Sequence, residues 1–147
     1  MGNLLARFSF GLLTLARRLQ LPATIENPAG SRLWQLPPAT QAQRWQEYSI
    51  DFCQWGKPWK KSTRFLGVNL DLVPIGRRCA GRSTCCRTKR PHQSLTGTDP
   101  KTGHFWTAVA EPYPKGLAQA LAGAFAHSHG RSTAQRLWLV LHPPTLP

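Results

Sequence analysis

The chain has 147 residues, a length typical of one domain rather than two. Its 19 Lys and Arg residues against 6 Asp and Glu residues give a formal net charge of +13, although only 17% of the residues are charged. This balance excludes an acidic, solvating disordered chain and favours a polyanionic partner, with nucleic acid ahead of an anionic membrane. The 13 Pro and 12 Gly residues predict a loop-rich domain.

An amphipathic helix of about five turns is predicted over the first 19 residues. Arg7 and the Arg17-Arg18 pair exclude both a signal peptide and a transmembrane span. We therefore expect no membrane partner and an intracellular, nuclear protein, with a mitochondrial transit peptide as the alternative for this acid-free helix. The apolar positions at helical spacing are Leu4, Leu5, Phe8, Leu12, Leu15, Ala16 and Leu19.

Short strands are predicted after this helix. Residues 23–25 read as a brief strand that runs into a polar, turn-rich loop at 26–31. Apolar and polar residues alternate over 48–53, which is typical of a half-buried strand, and a Gly-Lys-Pro turn leads to a further strand at 62–68. The last two strands are predicted to form a hairpin.

The C-terminal part predicts an apolar segment and one helix. Residues 105–110 can form a short strand or apolar segment, and Pro114 can start a helix over 115–126. After this helix the pattern decays, so we expect one region at 1–126 and an irregular tail at 127–147. The apolar face of the predicted helix consists of Leu117, Leu121 and Phe125.

A basic stretch at 77–92 contains three cysteines, a histidine and almost nothing apolar. It cannot bury itself, so it is either a disordered basic loop or a loop organised by a metal. The ligand spacing is wider than in a standard zinc finger, and free, reactive thiols beside arginines are the alternative. If the hairpin folds back, a Cys3His set for tetrahedral zinc is available from Cys53, Cys79, Cys85 and His92, with Cys86 as a substitute ligand.

Ten of the 19 Lys and Arg residues lie between residues 57 and 90, in the hairpin turn and the Cys/His stretch. Their charge suits contacts with phosphates, and Trp55 and Trp59 suit stacking on bases. A solvated basic surface without a ligand is the alternative. The candidate nucleic-acid-binding residues are Lys57, Lys60, Lys61, Arg64, Arg77, Arg78, Arg82, Arg87, Lys89 and Arg90.

Several motifs, taken in order, resemble an enzyme family. IENPAGSRLW at 25–34 and SIDFCQWGKPWKKSTR at 49–64 precede the Cys/His stretch, which is followed by LTG at 95–97 and WTAVAEPYP at 106–114. This pattern is similar to phage and retroelement-borne proteins distantly related to the cytosine carbon-5 DNA methyltransferases, over about residues 3–126. The resemblance implies an α/β fold, namely an incomplete Rossmann-like half-sheet with flanking helices and a long, basic, loop-rich Cys/His segment.

The resemblance also implies roles for Glu26 and Asn27, which match a Glu-Asn pair whose Glu contacts a flipped cytosine. Turn residues that end a strand are the alternative for both. The family's Pro-Cys nucleophile has no counterpart upstream of Glu26, and neither does the Gly-rich loop that holds S-adenosylmethionine.

We therefore expect a truncated, catalytically inactive remnant that binds nucleic acid, DNA in the first place, and does not bind S-adenosylmethionine. Activity would need another chain that supplies the missing N-terminal half. The second hypothesis is an independent, small, basic, zinc-stabilised nucleic-acid-binding module.

Overall fold

The computed structural model describes residues 2–36 and 45–141. The protein is mixed α and β, as the sequence predicts, and its regular elements are short apart from the two terminal helices. These elements are α1 (Gly2–Arg18), β1 (Ala23–Pro28), β2 (Gln46–Asp51), β3 (Ser62–Val68), α2 (Trp106–Val109) and α3 (Lys115–Leu141). Short 3-10 helices lie at Arg32–Gln35, Phe52–Trp55 and Val73–Ile75.

The three strands form one open antiparallel sheet in the order β1-β3-β2. Because β1 and β2 both pair antiparallel with β3, the two outer strands run in the same direction. The predicted hairpin of β2 and β3 is confirmed. A 3-10 turn at Phe52–Trp55 joins them, and Gly56 ends this turn at φ +95°, a backbone conformation that favours glycine.

The predicted loop at 26–31 is wrong in its first half. Residues 26–28 extend β1, and Glu26 lies opposite Phe65 of β3. Pro28 is tolerated there because β1 is an edge strand, where a missing N–H leaves no ladder bond broken. The turn begins only after Pro28, and the Ser31 hydroxyl accepts a hydrogen bond from the Leu33 amide at the start of the next 3-10 helix.

Two predictions for the C-terminal part also need correction. The strand option at 105–110 is wrong, because α2 occupies Trp106–Val109. The predicted helix at 115–126 is present, but α3 continues to Leu141 through the segment expected to be irregular. The sequence holds no proline between Pro114 and Pro143, so nothing of that kind stops the helix earlier. Residues 142–147 of the predicted tail lie outside the described residues.

Each face of the sheet carries its own apolar core, because successive residues of β3 point to opposite faces. Phe65 faces one core, in which Ile50 and Phe52 of the hairpin meet Leu117 of α3. Leu66 faces the other core, which α1 covers. The second core consists of Phe10, Leu13, Trp34, Leu66 and Val68.

The buried face of α1 differs from the apolar face that its spacing suggests. Ala6, Phe10 and Leu13 are buried against the sheet, and Ala16 packs partly beside them. The other predicted apolar positions are 50–72% exposed: Leu4, Leu5, Phe8, Leu12, Leu15 and Leu19. The helix therefore has two apolar faces, and periodicity alone does not tell which one the sheet covers. In the described part of the chain, none of the helices combines the length and apolarity needed to cross a membrane.

Candidate metal centre

The four predicted ligands meet at the end of the β2–β3 hairpin. Cys53 stands in the 3-10 turn after β2, where its neighbour Phe52 is fully buried and fixes the turn to the core. Cys79, Cys85 and His92 come from the stretch 77–92, hereafter the Cys/His loop. One ligand atom from each of the four residues lies within 4.8 Å of all the others. The cluster can therefore hold a metal ion.

The imidazole of His92 is held in the orientation and tautomer that a metal ligand needs. Its Nδ1 lies 2.9 Å from the carbonyl oxygen of Arg82. A carbonyl only accepts hydrogen bonds, so Nδ1 carries the proton and donates it. The lone pair is left on Nε2, which points at the Cys79 sulfur 3.6 Å away.

Backbone hydrogen bonds shape the Cys/His loop, which has almost no apolar side chains to bury. The Cys85 amide donates to the Arg90 carbonyl at 2.8 Å, and the Lys89 amide donates to the Cys85 carbonyl at 2.9 Å. Gly81 allows a further close approach, since a Cβ at this position would lie 1.8 Å from the Thr84 carbonyl oxygen. Any larger residue at this position forces the loop to shift.

The hairpin anchors the Cys/His loop through polar contacts. Asp51, at the end of β2, is fully buried, and its carboxylate accepts from the Cys79 amide at 2.7 Å and from the Ser62 hydroxyl. Lys60 Nζ donates to the Gly81 carbonyl at 2.8 Å, and Arg87 Nη2 donates to the Cys53 carbonyl at 3.0 Å. These bonds position the ligands from outside the cluster, as is common around metal sites.

Gln54 is a residue of the candidate site that the sequence pattern does not single out. Its side-chain Nε2 lies within hydrogen-bond distance of three sulfurs, those of Cys53 at 3.6 Å, Cys85 at 3.7 Å and Cys86 at 3.4 Å, and its two N–H groups are shared among them. N–H donors stabilise negative charge on sulfur, so this amide favours thiolates in the cluster. The only signal in the sequence is that Gln54 follows a candidate ligand.

The thiols of the cluster differ in acidity. Burial is the main cause that raises the pKa of Cys53 to about 12, so this residue is a neutral thiol. Hydrogen bonds from the backbone of Thr88 and neighbouring groups lower the pKa of Cys85 to about 6. For His92, burial opposes the charged form, but the bonds to Arg82 and Cys79 outweigh it and raise the pKa. A metal that binds here must displace a proton from Cys53.

Cys86 lies beside the cluster but is not one of the four converging ligands. Its side chain is partly exposed, and its amide donates to the Cys79 sulfur at 3.4 Å. Backbone bonding around Ala80, together with Cys79, lowers the pKa of the Cys86 thiol. The arrangement thus distinguishes Cys85, which is buried among the ligands, from its direct neighbour Cys86.

The ten predicted nucleic-acid-binding residues fall into two groups. Six have side chains that contact the protein itself: Lys57 on Trp59, Lys60 on Gly81, Lys61 on Ala110 and Phe52, Arg64 on Glu47 and Trp34, Arg77 on Trp55, and Arg87 on Cys53. The other four are exposed, and their side chains have no hydrogen-bond, ion-pair or ring partner within residues 2–36 and 45–141: Arg78, Arg82, Lys89 and Arg90.

The predicted stacking tryptophans are not free. Trp59 is 5% exposed and belongs to the core, so its predicted role in stacking on bases is wrong. Trp55 is half-buried, and the Arg77 guanidinium lies over its ring at 4.2 Å. The sequence shows aromatic residues among Lys and Arg residues, but it does not show that these rings pack in the core beside the sheet.

Glu26 and Asn27, the residues assigned by resemblance, lie within β1 and not in a loop. The Glu26 carboxylate interacts with the Tyr113 hydroxyl, which precedes α3. Burial, and then this carboxylate, raise the pKa of Tyr113. Asn27 lies opposite Arg64 of β3. The pair is partly buried at the edge strand and already has neighbours in the protein.

Comparisons with models of known protein families, with curated proteins and with solved structures gave no match for this chain. The resemblance to cytosine carbon-5 DNA methyltransferases stays a prediction. The proposed function therefore rests on the geometry of the chain's own residues.

Proposed function

We propose that the chain is a zinc-stabilised nucleic-acid-binding module, in which zinc orders the Cys/His loop and the loop presents its basic side chains to the phosphates of the nucleic acid. Three buried cysteines and one imidazole form a closed donor set, the type that holds structural zinc. With bonds of about 2.3 Å to sulfur and 2.0 Å to nitrogen, a tetrahedral site has an S···N edge of about 3.5 Å. The distance of 3.6 Å between Cys79 Sγ and His92 Nε2 fits this edge.

The observation that carries the proposal is that the four basic residues without side-chain partners are linked through the backbone to the candidate metal ligands. Arg78 directly precedes Cys79, and the Arg82 carbonyl accepts from the His92 imidazole. Lys89 and Arg90 bond to the main chain of Cys85. Fixing the ligands therefore fixes the four backbone positions from which these charges project into solvent.

The charge of the Cys/His loop favours a polyanion. Residues 77–92 contain six bases and no acid, so no internal carboxylate competes for the free guanidinium and ammonium groups. Contacts of this kind release counterions from the phosphates and make affinity depend steeply on salt. Phosphate contacts position the chain without reading sequence, so we expect weak sequence preference.

Fluorescence anisotropy with a short labelled DNA duplex tests the proposal. Replacing Arg78, Arg82, Lys89 and Arg90 by Gln is expected to lower the salt slope of binding by about 0.9 for each phosphate that the chain no longer neutralises. The matched control removes the same charge from exposed bases elsewhere: Arg18, Arg32, Lys101 and Lys115. The control should keep most of the slope.

Removal of zinc by a chelator is the second arm of this experiment. It should weaken DNA binding by the unsubstituted chain, because the four basic side chains lose their fixed positions when the loop loses its zinc. The DNA affinity of the loop variant should not change, because that variant lacks these side chains. Equal losses in the loop and control variants would show that only net charge matters. Binding that a chelator does not alter would separate DNA affinity from the metal and contradict the proposal.

A second candidate is that the chain is the later part of a cytosine carbon-5 methyltransferase-like domain. The open edge of the sheet favours it, although both strand pairs that the structure describes are antiparallel. In the described residues the outer side of β1 pairs with no strand, so a further strand can add there.

Calorimetric titration with S-adenosylmethionine tests this candidate. We expect no binding by the chain alone, since the sequence lacks a Gly-rich loop before Glu26. Tight binding would contradict the assignment of an inactive remnant. This result is independent of the DNA-binding experiment, so the two candidates can fail separately.

A further inference from the structure

α1 presents a continuous apolar stripe to solvent on the side away from the sheet. With about 100° between successive residues, its members fall within about 100° of the helix circumference. The face that contacts the sheet, with Phe10 and Leu13, lies roughly opposite. The stripe consists of Leu4, Leu5, Phe8, Leu12 and Leu15 of α1, continued by Leu19 just after the helix ends, and these residues are between 50% and 72% exposed. An apolar surface of this extent marks an interaction site.

The charges on α1 indicate what this surface contacts. The helix has no acidic residue, and Arg17 and Arg18 lie in its last turn. Arg7 and Arg18 are exposed and, on the helical projection, border the stripe on the side of Leu4 and Leu15. An apolar face bordered by arginines is typical of helices that lie in the interface of an anionic membrane.

A second copy of this chain fits the stripe less well. Each copy carries a formal charge of +13, and paired α1 helices would bring arginines together with no carboxylate on either helix to offset them. An anionic lipid surface supplies both the apolar layer for the leucines and the negative headgroups for the arginines.

We propose that α1 docks the protein onto an anionic phospholipid surface, with the apolar stripe in the acyl boundary and Arg7 and Arg18 at the headgroups. This reverses the expectation from sequence that there is no membrane partner. That expectation was drawn from the inability of the segment to span a bilayer, whereas a helix lying in the interface needs no span. The inference is independent of the Cys/His loop and of the proposed function.

Co-sedimentation of the full chain with vesicles tests the proposal, with phosphatidylglycerol mixed into phosphatidylcholine and pure phosphatidylcholine as the neutral lipid. The Phe8→Gln, Leu12→Gln double variant keeps the charge and changes exposed side chains only, so the fold should persist by circular dichroism. We expect its partition onto anionic vesicles to fall by at least about tenfold for each side chain replaced. The control Arg78→Gln, Arg90→Gln, which removes charge from the Cys/His loop, should bind nearly as the unsubstituted chain does.

Three outcomes would overturn the proposal. Equal binding by the double variant would show attraction by net charge alone. No sedimentation with anionic vesicles would exclude the lipid surface. A dimer, or a complex with an acidic protein, that the double variant abolishes while vesicle binding is unaffected would assign the stripe to a protein partner.

Discussion

The sheet and the Cys/His loop are ordered by different forces. In the hairpin, Ile50, Phe52 and Phe65 are at most 1% exposed and pack in a core shared with α3. In the Cys/His loop the buried side chains are those of Cys79 and Cys85, and the remaining order comes from hydrogen bonds and the convergence of ligands. The sheet should therefore fold without metal, whereas we expect the loop to need metal to hold its shape.

The two regions meet at β2, whose end supplies Asp51 to the Cys79 amide and whose following turn supplies Cys53. The metal centre consequently depends on the sheet, but the sheet does not depend on the metal centre. Loss of the sheet should displace Asp51 and Cys53 and disrupt the metal centre, whereas loss of the metal should leave both apolar cores in place. Each of the following predictions tests this asymmetry.

The largest effect is expected from Phe65→Ala. This ring is 1% exposed in the core, and truncating a buried Phe costs about 3–5 kcal/mol, a large part of the about 5–15 kcal/mol that stabilises a typical domain. Urea denaturation followed by circular dichroism should show loss of the sheet, and metal binding should be lost with it. Phe105→Ala is the control, because this ring is 67% exposed. A stable Phe65→Ala variant would contradict the role of the core.

Gly81→Ala should separate the two regions. The added Cβ meets the Thr84 carbonyl oxygen at 1.8 Å, so the turn between Cys79 and Cys85 must open. We expect zinc affinity to fall by at least about a hundredfold, with the denaturation midpoint of the sheet little changed. Gly30→Ala serves as the control, since nothing lies within 4 Å of a Cβ there. Full zinc affinity in Gly81→Ala would mean that the loop geometry does not matter.

Zinc affinity should fall as the pH is lowered. Cys53, whose pKa is raised to about 12, is protonated at neutral pH and must lose its proton when zinc binds. His92, whose pKa is raised above 6.5, is protonated in acid and must then lose a proton as well. The affinity is therefore expected to drop by about tenfold per pH unit for each of these protons. Calorimetry in buffers of different ionisation enthalpy measures the protons released. An affinity that does not change between neutral and mildly acidic pH would contradict this ligand set.

The smallest effect is expected from Gln54→Ala. This change removes the amide that donates to the sulfurs of Cys53, Cys85 and Cys86 but leaves all four ligands. Loss of such a supporting bond lowers metal affinity by about 10–100-fold, and we expect the lower end. Gln119→Ala, on the exposed side of α3, is the matched control. Cobalt absorption spectra should shift for Gln54→Ala only, and an unchanged spectrum would rule out the sulfur contacts.

The sequence predicted those parts of the fold that follow a regular period or need a rare combination of residues. Alternation over 48–53 predicted β2, which lies two residues earlier at Gln46–Asp51 because Phe52 and Cys53 belong to the 3-10 turn, and its hairpin with 62–68 is confirmed. Three of the four candidate ligands stand out because cysteines and a histidine cluster in a stretch with almost no apolar residues, and Cys53 is the further cysteine that the hairpin can bring to them. Their convergence on one point is confirmed.

Other features depend on contacts between distant segments. The extension of β1 to Pro28 requires pairing with β3, whose partner residues stand more than 30 positions later. The burial of Trp59 and the exposed stripe of α1 follow from which faces the sheet covers, and local spacing carries no such information. In the sequence, Gln54 looks like any glutamine at the protein surface. Only the fold shows that three sulfurs lie next to its side-chain amide.

Metal binding by Cys85→Ser and Cys86→Ser tests the central claim most directly. The two cysteines are neighbours, but only the Cys85 sulfur lies in the cluster with Cys53, Cys79 and His92. Titration with zinc, and with cobalt as a spectroscopic probe, should show that Cys85→Ser loses at least about a hundredfold in affinity. Cys86→Ser should bind nearly as the unsubstituted chain does, with the spectrum of a tetrahedral site that has three sulfur ligands. Equal losses in both variants, or none in either, would contradict a metal centre built from these four residues.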